Sequence, residues 1–188
     1  MPYAACGRMG QTMNKQFNTK KLSLAAMFLA LALLLPFLTG QTSQLGSMFC
    51  PMHLPIFLCG FFCGGWWGFI VGLIAPVFRS TIFGMPQMFP VAMCMSFELA
   101  TFGLITGVLH SKLPKKKWMI YISLISAMIL GRVVWGLVMF ACMGFDVNKF
   151  GLAAFLSGAV TTGIPGIIIQ LVLIPVIVMF LEKSDRVR

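Results

Sequence analysis

Residues 57–109 read FLCGFFCGGWWGFIVGLIAPVFRSTIFGMPQMFPVAMCMSFELATFGLITGVL, a nearly unbroken apolar run that contains one arginine, Arg79, and one glutamate, Glu98. A charged side chain near the centre of a bilayer costs about 2.5–3.5 kcal/mol on insertion scales. Such residues therefore usually face the interior of a helix bundle, a partner or a polar ligand. Together with Arg132 further along the chain, they make the handling of a solute the leading hypothesis.

The composition places the chain in a membrane. Of its 188 residues, 59% are hydrophobic and 10% are charged, and its mean hydropathy is +0.95. Soluble domains have about a quarter of their residues charged. Because a spanning helix needs about 20 apolar residues, this length allows roughly five to seven spans and one membrane domain.

The apolar runs and the turn residues between them predict an all-α membrane protein, a compact bundle of six transmembrane helices. The predicted spans are 22–38, 55–63, 66–83, 88–110, 118–142 and 152–181. We expect the bundle to occupy residues 22–182, between cytoplasmic tails at 1–21 and 183–188. Whether residues 1–14 are native is left open. The second span is too short to cross about 30 Å of hydrocarbon, so it is expected to begin earlier, inside the loop, or to lie steeply in the bundle.

The basic residues predict the orientation, because cytoplasmic loops are enriched in lysine and arginine. One predicted side of the membrane carries Arg8, Lys15, Lys20, Lys21, Lys112, Lys115, Lys116, Lys117, Lys183, Arg186 and Arg188. The opposite loops contain only Lys149, with Arg79 near that boundary. Both termini are therefore expected in the cytoplasm, with the 39–52 loop and the 84–90 turn outside.

Glu98 and Arg132 are predicted to lie at one depth. Each is about ten residues below the outer end of its span, or roughly 15 Å at 1.5 Å per residue. They could form an ion pair that only locks two helices together. Equally, one or both could reach a polar solute in a cavity open to the outside.

Four further polar or aromatic residues are candidates for ligand contacts, and three of them have a structural alternative. Arg79 either snorkels at the interface or points inward to bind an anion in a bidentate fork. Gln170 either binds ligand or joins two helices. His53 either caps the second span or binds ligand, and Trp135 is the best placed residue to stack on a ring.

Several function classes are excluded or disfavoured. The six cysteines lack the paired CxxC spacing of zinc sites and read as small core residues, so no metal site and no cofactor are predicted. HExxH, GxSxG and Walker A motifs are absent, so we predict no enzyme. The basic residues form no stripe interleaved with exposed aromatics, which argues against nucleic-acid binding.

The segment from His53 to Leu109 resembles the substrate-binding S component of an energy-coupling factor (ECF) vitamin transporter. The resemblance rests on the Gly-rich turn between spans two and three, on GMPQMFP at 84–90, on FELA at 97–100 and on the six-span plan. It covers about residues 22–182. Each element alone is weak, and their combination is specific for the family without fixing the vitamin.

This resemblance implies a non-catalytic subunit of the bacterial cell membrane. Such proteins capture a vitamin from outside, under the loop after the first helix, and deliver it with a membrane coupling protein, the T component, and two cytoplasmic ATPases. The implied docking face for the coupling protein is the small-residue face with Ala26 and Ala30. The implied cavity residues are the 39–52 loop, the 84–90 turn, and Arg79, Glu98, Arg132 and Gln170. The turn includes Met85 and Gln87.

The two arginines favour an anionic ligand, and among the family's vitamins pantothenate fits that chemistry. The main alternative from another class is an autonomous channel or ion-coupled secondary carrier that uses Glu98 as its protonatable site. No convincing internal repeat supports a carrier. A third alternative, an assembly subunit without ligand, predicts that Arg79, Glu98 and Arg132 pair among themselves.

Overall fold

A computed structural model describes residues 19–38, 51–113, 117–144 and 164–185 of the chain. All the regular structure in these ranges is helical. Its six α-helices are α1 (Thr19–Leu38), α2 (His53–Cys63), α3 (Gly65–Phe83), α4 (Met93–Lys112), α5 (Lys117–Cys142) and α6 (Ile164–Asp185). A π-helical turn at Met88–Ala92 leads into α4, with a break from helical geometry at Phe89.

The bundle is built around α4, which packs against α2, α3 and α5. Helix α1 covers α2 and α3, and α6 packs against α2 and α5. Within the described ranges, four segments are long and apolar enough to cross a membrane, namely Thr19–Phe37, Gly65–Phe83, Met88–Lys112 and Trp118–Cys142. Two shorter apolar helical segments, His53–Cys63 and Gly166–Phe180, complete the set.

The second helix lies close to its predicted bounds of 55–63, with the same last residue and a start two residues earlier. The described chain makes a turn at Pro51 and Met52, and α2 begins at His53 rather than earlier in the loop. Its 11 residues extend about 16 Å at 1.5 Å per residue, so α2 covers only part of the bundle's depth. For the sixth helix, the predicted residues 152–163 lie outside the described ranges.

Two glycines with positive φ separate the helices around α3. Gly64 (φ 98°) is the single residue between α2 and α3, and its N–H donates to the Gly60 carbonyl at 3.2 Å. Gly84 (φ 69°) ends α3 in the left-handed conformation, and its N–H donates to the Ser80 carbonyl at 3.0 Å. These conformations strain any residue with a Cβ, so the positions of both turns are fixed by glycine.

Helices α3 and α4 approach so closely that their backbones touch. A Cβ added to Gly68 would lie 2.8 Å from the Gly103 carbonyl oxygen, and one added to Gly65 would lie 2.8 Å from the Leu104 carbonyl oxygen. Gly107 packs in the same way against Gly65. Lipid tails are as apolar as core side chains, so membrane helices associate through such close van der Waals packing at small residues.

Phe102 of α4 fills the space between α2 and α5. Its ring stacks on Phe57 with centroids 4.8 Å apart and packs beside His53 at 5.3 Å. On the other side, the ring occupies the space that a side chain at Gly131 of α5 would need. Phe57 and Phe102 are among the largest fully buried side chains, so this contact forms the centre of the core.

We predict that Gly103→Val lowers the free energy of unfolding by about 1–3 kcal/mol or more, the cost of overpacking, because its side chain meets the Gly68 backbone. The measurement is thermal or SDS-induced unfolding in detergent. Thr101→Val is the matched control, since Thr101 is partly exposed and its hydroxyl bonds only its own helix. Equal stability of the two variants would contradict the close α3–α4 packing.

Candidate functional site

We call one end of the bundle the Phe83 end, after the last residue of α3. Contacts of Gly68 with Gly103 and of Gly72 with Leu99 show that α4 runs antiparallel to α3. Contacts of Phe102 with Gly131 and of Cys94 with Met139 show the same for α4 and α5. The Phe83 end is therefore where α3 and α5 finish and α4 begins. Helix α1 finishes there too, since the ring of Phe37 lies edge-on to that of Phe83 at 4.7 Å.

Glu98 and Arg132 meet, as their equal predicted depths allow. Arg132 Nη1 lies 3.2 Å from Glu98 Oε1. The Glu98 side chain is 2% exposed and that of Arg132 is 21% exposed. The contact is an ion pair rather than a hydrogen bond, because no donor among the described residues approaches Glu98 Oε1 with hydrogen-bond geometry. The arginine side chain is thus partly exposed, and the carboxylate is buried.

Trp135 and Gln170 lie on the helices around this pair. Trp135 is half-buried and follows Arg132 by three residues, which places both on one face of α5. Gln170 is 3% exposed on α6, a helix that packs against α5. A ligand role for either residue stays a prediction.

His53 lies deeper than its place at the start of a span suggests. It is 2% exposed, and its ring packs beside Phe102, four residues beyond Glu98 on the same face of α4. This follows from the late start of α2 within the bundle. Phe102 is a neighbour of the candidate site that the sequence did not single out, although its i+4 spacing from Glu98 is a signal for it.

Arg79 is buried and contacts α1. Its side chain is 8% exposed, its Nη1 donates to the Leu33 carbonyl oxygen at 3.4 Å, and its guanidinium carbon lies 5.7 Å from the centre of the Phe37 ring. Arg79 thus joins α3 to α1, and its described contacts do not bring it to the Glu98–Arg132 pair.

The remaining predicted residues lie on surfaces. Met85 and Gln87 are exposed in the turn between α3 and the π-helical segment. Ala26 and Ala30 are exposed on α1, whereas Ala25 and Ala32 on its other side are buried in the core. The face with Ala26 and Ala30 therefore points away from the described part of the bundle, and none of the described helices covers it.

Comparison with known proteins identifies the family. The family model described as "ECF transporter, substrate-specific component" matches residues 20–178. This match covers most of the chain, from the start of α1 to near the end of α6, and the chain belongs to this family. No curated protein and no solved structure matches it. The chain is thus a substrate-specific component of a membrane transporter.

We predict strong coupling between Glu98 and Arg132. Arg132→Met should lower the free energy of unfolding by about 3–5 kcal/mol, because it leaves a buried carboxylate without its cation. Adding Glu98→Gln should recover most of that loss. The measurement is a double-mutant cycle of unfolding in detergent.

Arg79→Met combined with Glu98→Gln is the matched control. Arg79 contacts α1 rather than Glu98, so the effects of these two changes should add to within about 0.5 kcal/mol. Additive effects of Glu98→Gln and Arg132→Met would contradict an energetically important ion pair.

Proposed function

We propose that this protein is the high-affinity, membrane-embedded vitamin-binding subunit of an ECF-type importer. It captures a small vitamin from outside and delivers it with the T component and two cytoplasmic ATPases, which hydrolyse the ATP. The observation that carries the proposal is the Glu98–Arg132 pair inside a member of this family. A buried charge pair is a costly feature in a membrane, and here its arginine is partly exposed.

We propose an anionic vitamin as the ligand, with pantothenate as the first candidate. Glu98 and Arg132 together are neutral, and Arg79 adds one positive charge that its described contacts with a carbonyl and a ring do not neutralise. A guanidinium group has five N–H donors. Arg132 therefore has donors beyond the one facing Glu98, and a ligand carboxylate with neighbouring hydroxyls matches them.

The Phe83 end is proposed to face the outside of a bacterial cell membrane. Lys20, Lys21 and Lys112 lie at the opposite end of the described helices, where α1 begins and α4 finishes. With six spans, the positive-inside rule then places both termini in the cytoplasm. The exposed Met85 and Gln87 lie at the proposed entrance, and we propose that His53, Trp135 and Gln170 line the cavity below it.

The function is tested by titrating the purified chain in detergent with a panel of B vitamins, without ATPases, by isothermal titration calorimetry. We expect tight one-to-one binding of one vitamin, with pantothenate first. An absence of binding across the panel, together with solute uptake into vesicles that contain this chain alone, would favour the secondary carrier instead.

The same titration tests the site residues. Arg132→Met in the Glu98→Gln background keeps the pair neutral, so a loss of affinity there reports ligand contact rather than an uncompensated charge. For Arg79, Phe37→Leu removes the ring beside the guanidinium group and keeps the charge, and it is the control for Arg79→Ala. A charge-assisted ligand bond predicts a loss of about 2 kcal/mol or more for Arg79→Ala alone.

We propose that the exposed face with Ala26 and Ala30 docks the T component. Small residues four apart let another membrane helix approach closely. Ala30→Trp should therefore abolish vitamin uptake by the assembled transporter and leave the binding affinity of the isolated chain unchanged. Ala141→Trp, an exposed alanine on α5, is the control and should retain uptake. Loss of vitamin binding in Ala30→Trp would show that the face serves the chain's own fold.

A further inference from the structure

Three sulfur atoms from two helices meet near the Phe83 end. Cys94 Sγ on α4 lies 3.5 Å from Met139 Sδ on α5. Cys142 follows Met139 by three residues on the same face of α5, and its thiol lies within interaction range of the Cys94 thiol. Cys94 is fully buried and Cys142 is half-buried, and both are free thiols.

Thioether side chains lead from the surface towards this cluster. Met85, Met88 and Met93 are about half exposed, at 55%, 47% and 43%, and they lie on the turn and the first helical residues directly before Cys94. Methionine is a weak, soft ligand that can exchange a bound ion. The exposed methionines and the buried cluster therefore both offer sulfur ligands, at two different depths.

We propose that Cys94, Met139 and Cys142 bind one soft monovalent metal ion of the Cu(I) class. Thiolate and thioether ligands together select such ions over Mg²⁺ or Ca²⁺. Metal–sulfur bonds are about 2.3 Å long, so sulfurs around one trigonal ion stand about 4 Å apart. The 3.5 Å contact of Cys94 with Met139 is near that separation without rearrangement of either helix.

Binding releases the two thiol protons, as thiolates are the ligating form. The loaded site, one monovalent cation with two thiolates, then carries one negative charge. Arg132 lies seven residues, two turns, from Met139 on the same face of α5. It supplies the nearest positive charge along that face, so the metal site and the Glu98–Arg132 pair are adjacent and use different ligands.

The test uses Ag(I), a redox-inert probe for Cu(I). The full chain carrying Cys6→Ser, Cys50→Ser, Cys59→Ser and Cys63→Ser serves as the parent, because Cys94 and Cys142 are then its two thiols and the adjacent pair on α2 is removed. It is loaded with silver nitrate under nitrogen in chloride-free detergent buffer and desalted. Silver per chain is then measured by elemental mass spectrometry. We expect the parent to retain one silver ion per chain.

Adding Cys94→Ser or Cys142→Ser should reduce the retained silver at least tenfold. Met139→Leu should weaken Ag(I) at least tenfold in a competition titration, whereas Met128→Leu, a core methionine elsewhere on α5, should not. Silver should also raise the thermal midpoint of the parent and not that of the Cys142→Ser variant. Full retention after either cysteine change, or equal effects of Met128→Leu and Met139→Leu, would overturn the proposed site.

Discussion

The close approach of α3 and α4 is the constraint on which the rest of the bundle depends. Glycines on both helices bring the backbones into contact, with Gly68 against Gly103 and Gly72 against Leu99. Sliding one helix past the other by a turn would place Leu99 instead of Gly103 against the Gly68 backbone, and the close Gly68–Gly103 contact would be lost. The register is therefore fixed sterically, in a solvent where the hydrophobic effect does not drive helices together. This register determines the depth of every functional side chain on α4.

The Glu98–Arg132 pair is the second constraint, and it acts between α4 and α5. Its cost in the membrane is acceptable because each charge neutralises the other. The asymmetry of the pair matters more than its strength, since Glu98 is enclosed while Arg132 is partly open. An enclosed carboxylate holds the arginine in place and leaves part of its guanidinium group available. The two readings of this pair, as a structural lock and as a ligand site, are therefore compatible.

The sequence predicted the helices well because their signals are local. The predicted span 118–142 is observed as Lys117–Cys142, since the apolar run begins after a group of lysines and ends before a polar segment that contains Asp146 and Lys149. What it could not predict depends on contacts between distant segments. His53 lies beside Phe102 because α2 begins within the bundle, and Arg79 is bound by a backbone carbonyl of α1, 46 positions away. Neither contact has a signature in the spacing of residues. The same holds for Cys94 and Cys142, whose thiols meet only through the antiparallel register of α4 and α5.

Helix geometry explains how one face of α4 serves several chemistries. Cys94, Glu98, Phe102 and Thr106 follow one another at intervals of four residues, and all are buried. Each interval rotates the side chain by about 40°, so the stripe turns through about 120° from first to last. Its first members meet α5, at Met139 and Arg132. Phe102 contacts both α2 and α5, and Thr106 packs against Gly60 of α2. The sulfur cluster and the ion pair thus share the α4–α5 interface, because Cys94 and Glu98 stand at the start of the stripe, where it still faces α5. A ligand held by Arg132 would therefore lie between the sulfur cluster and the aromatic core.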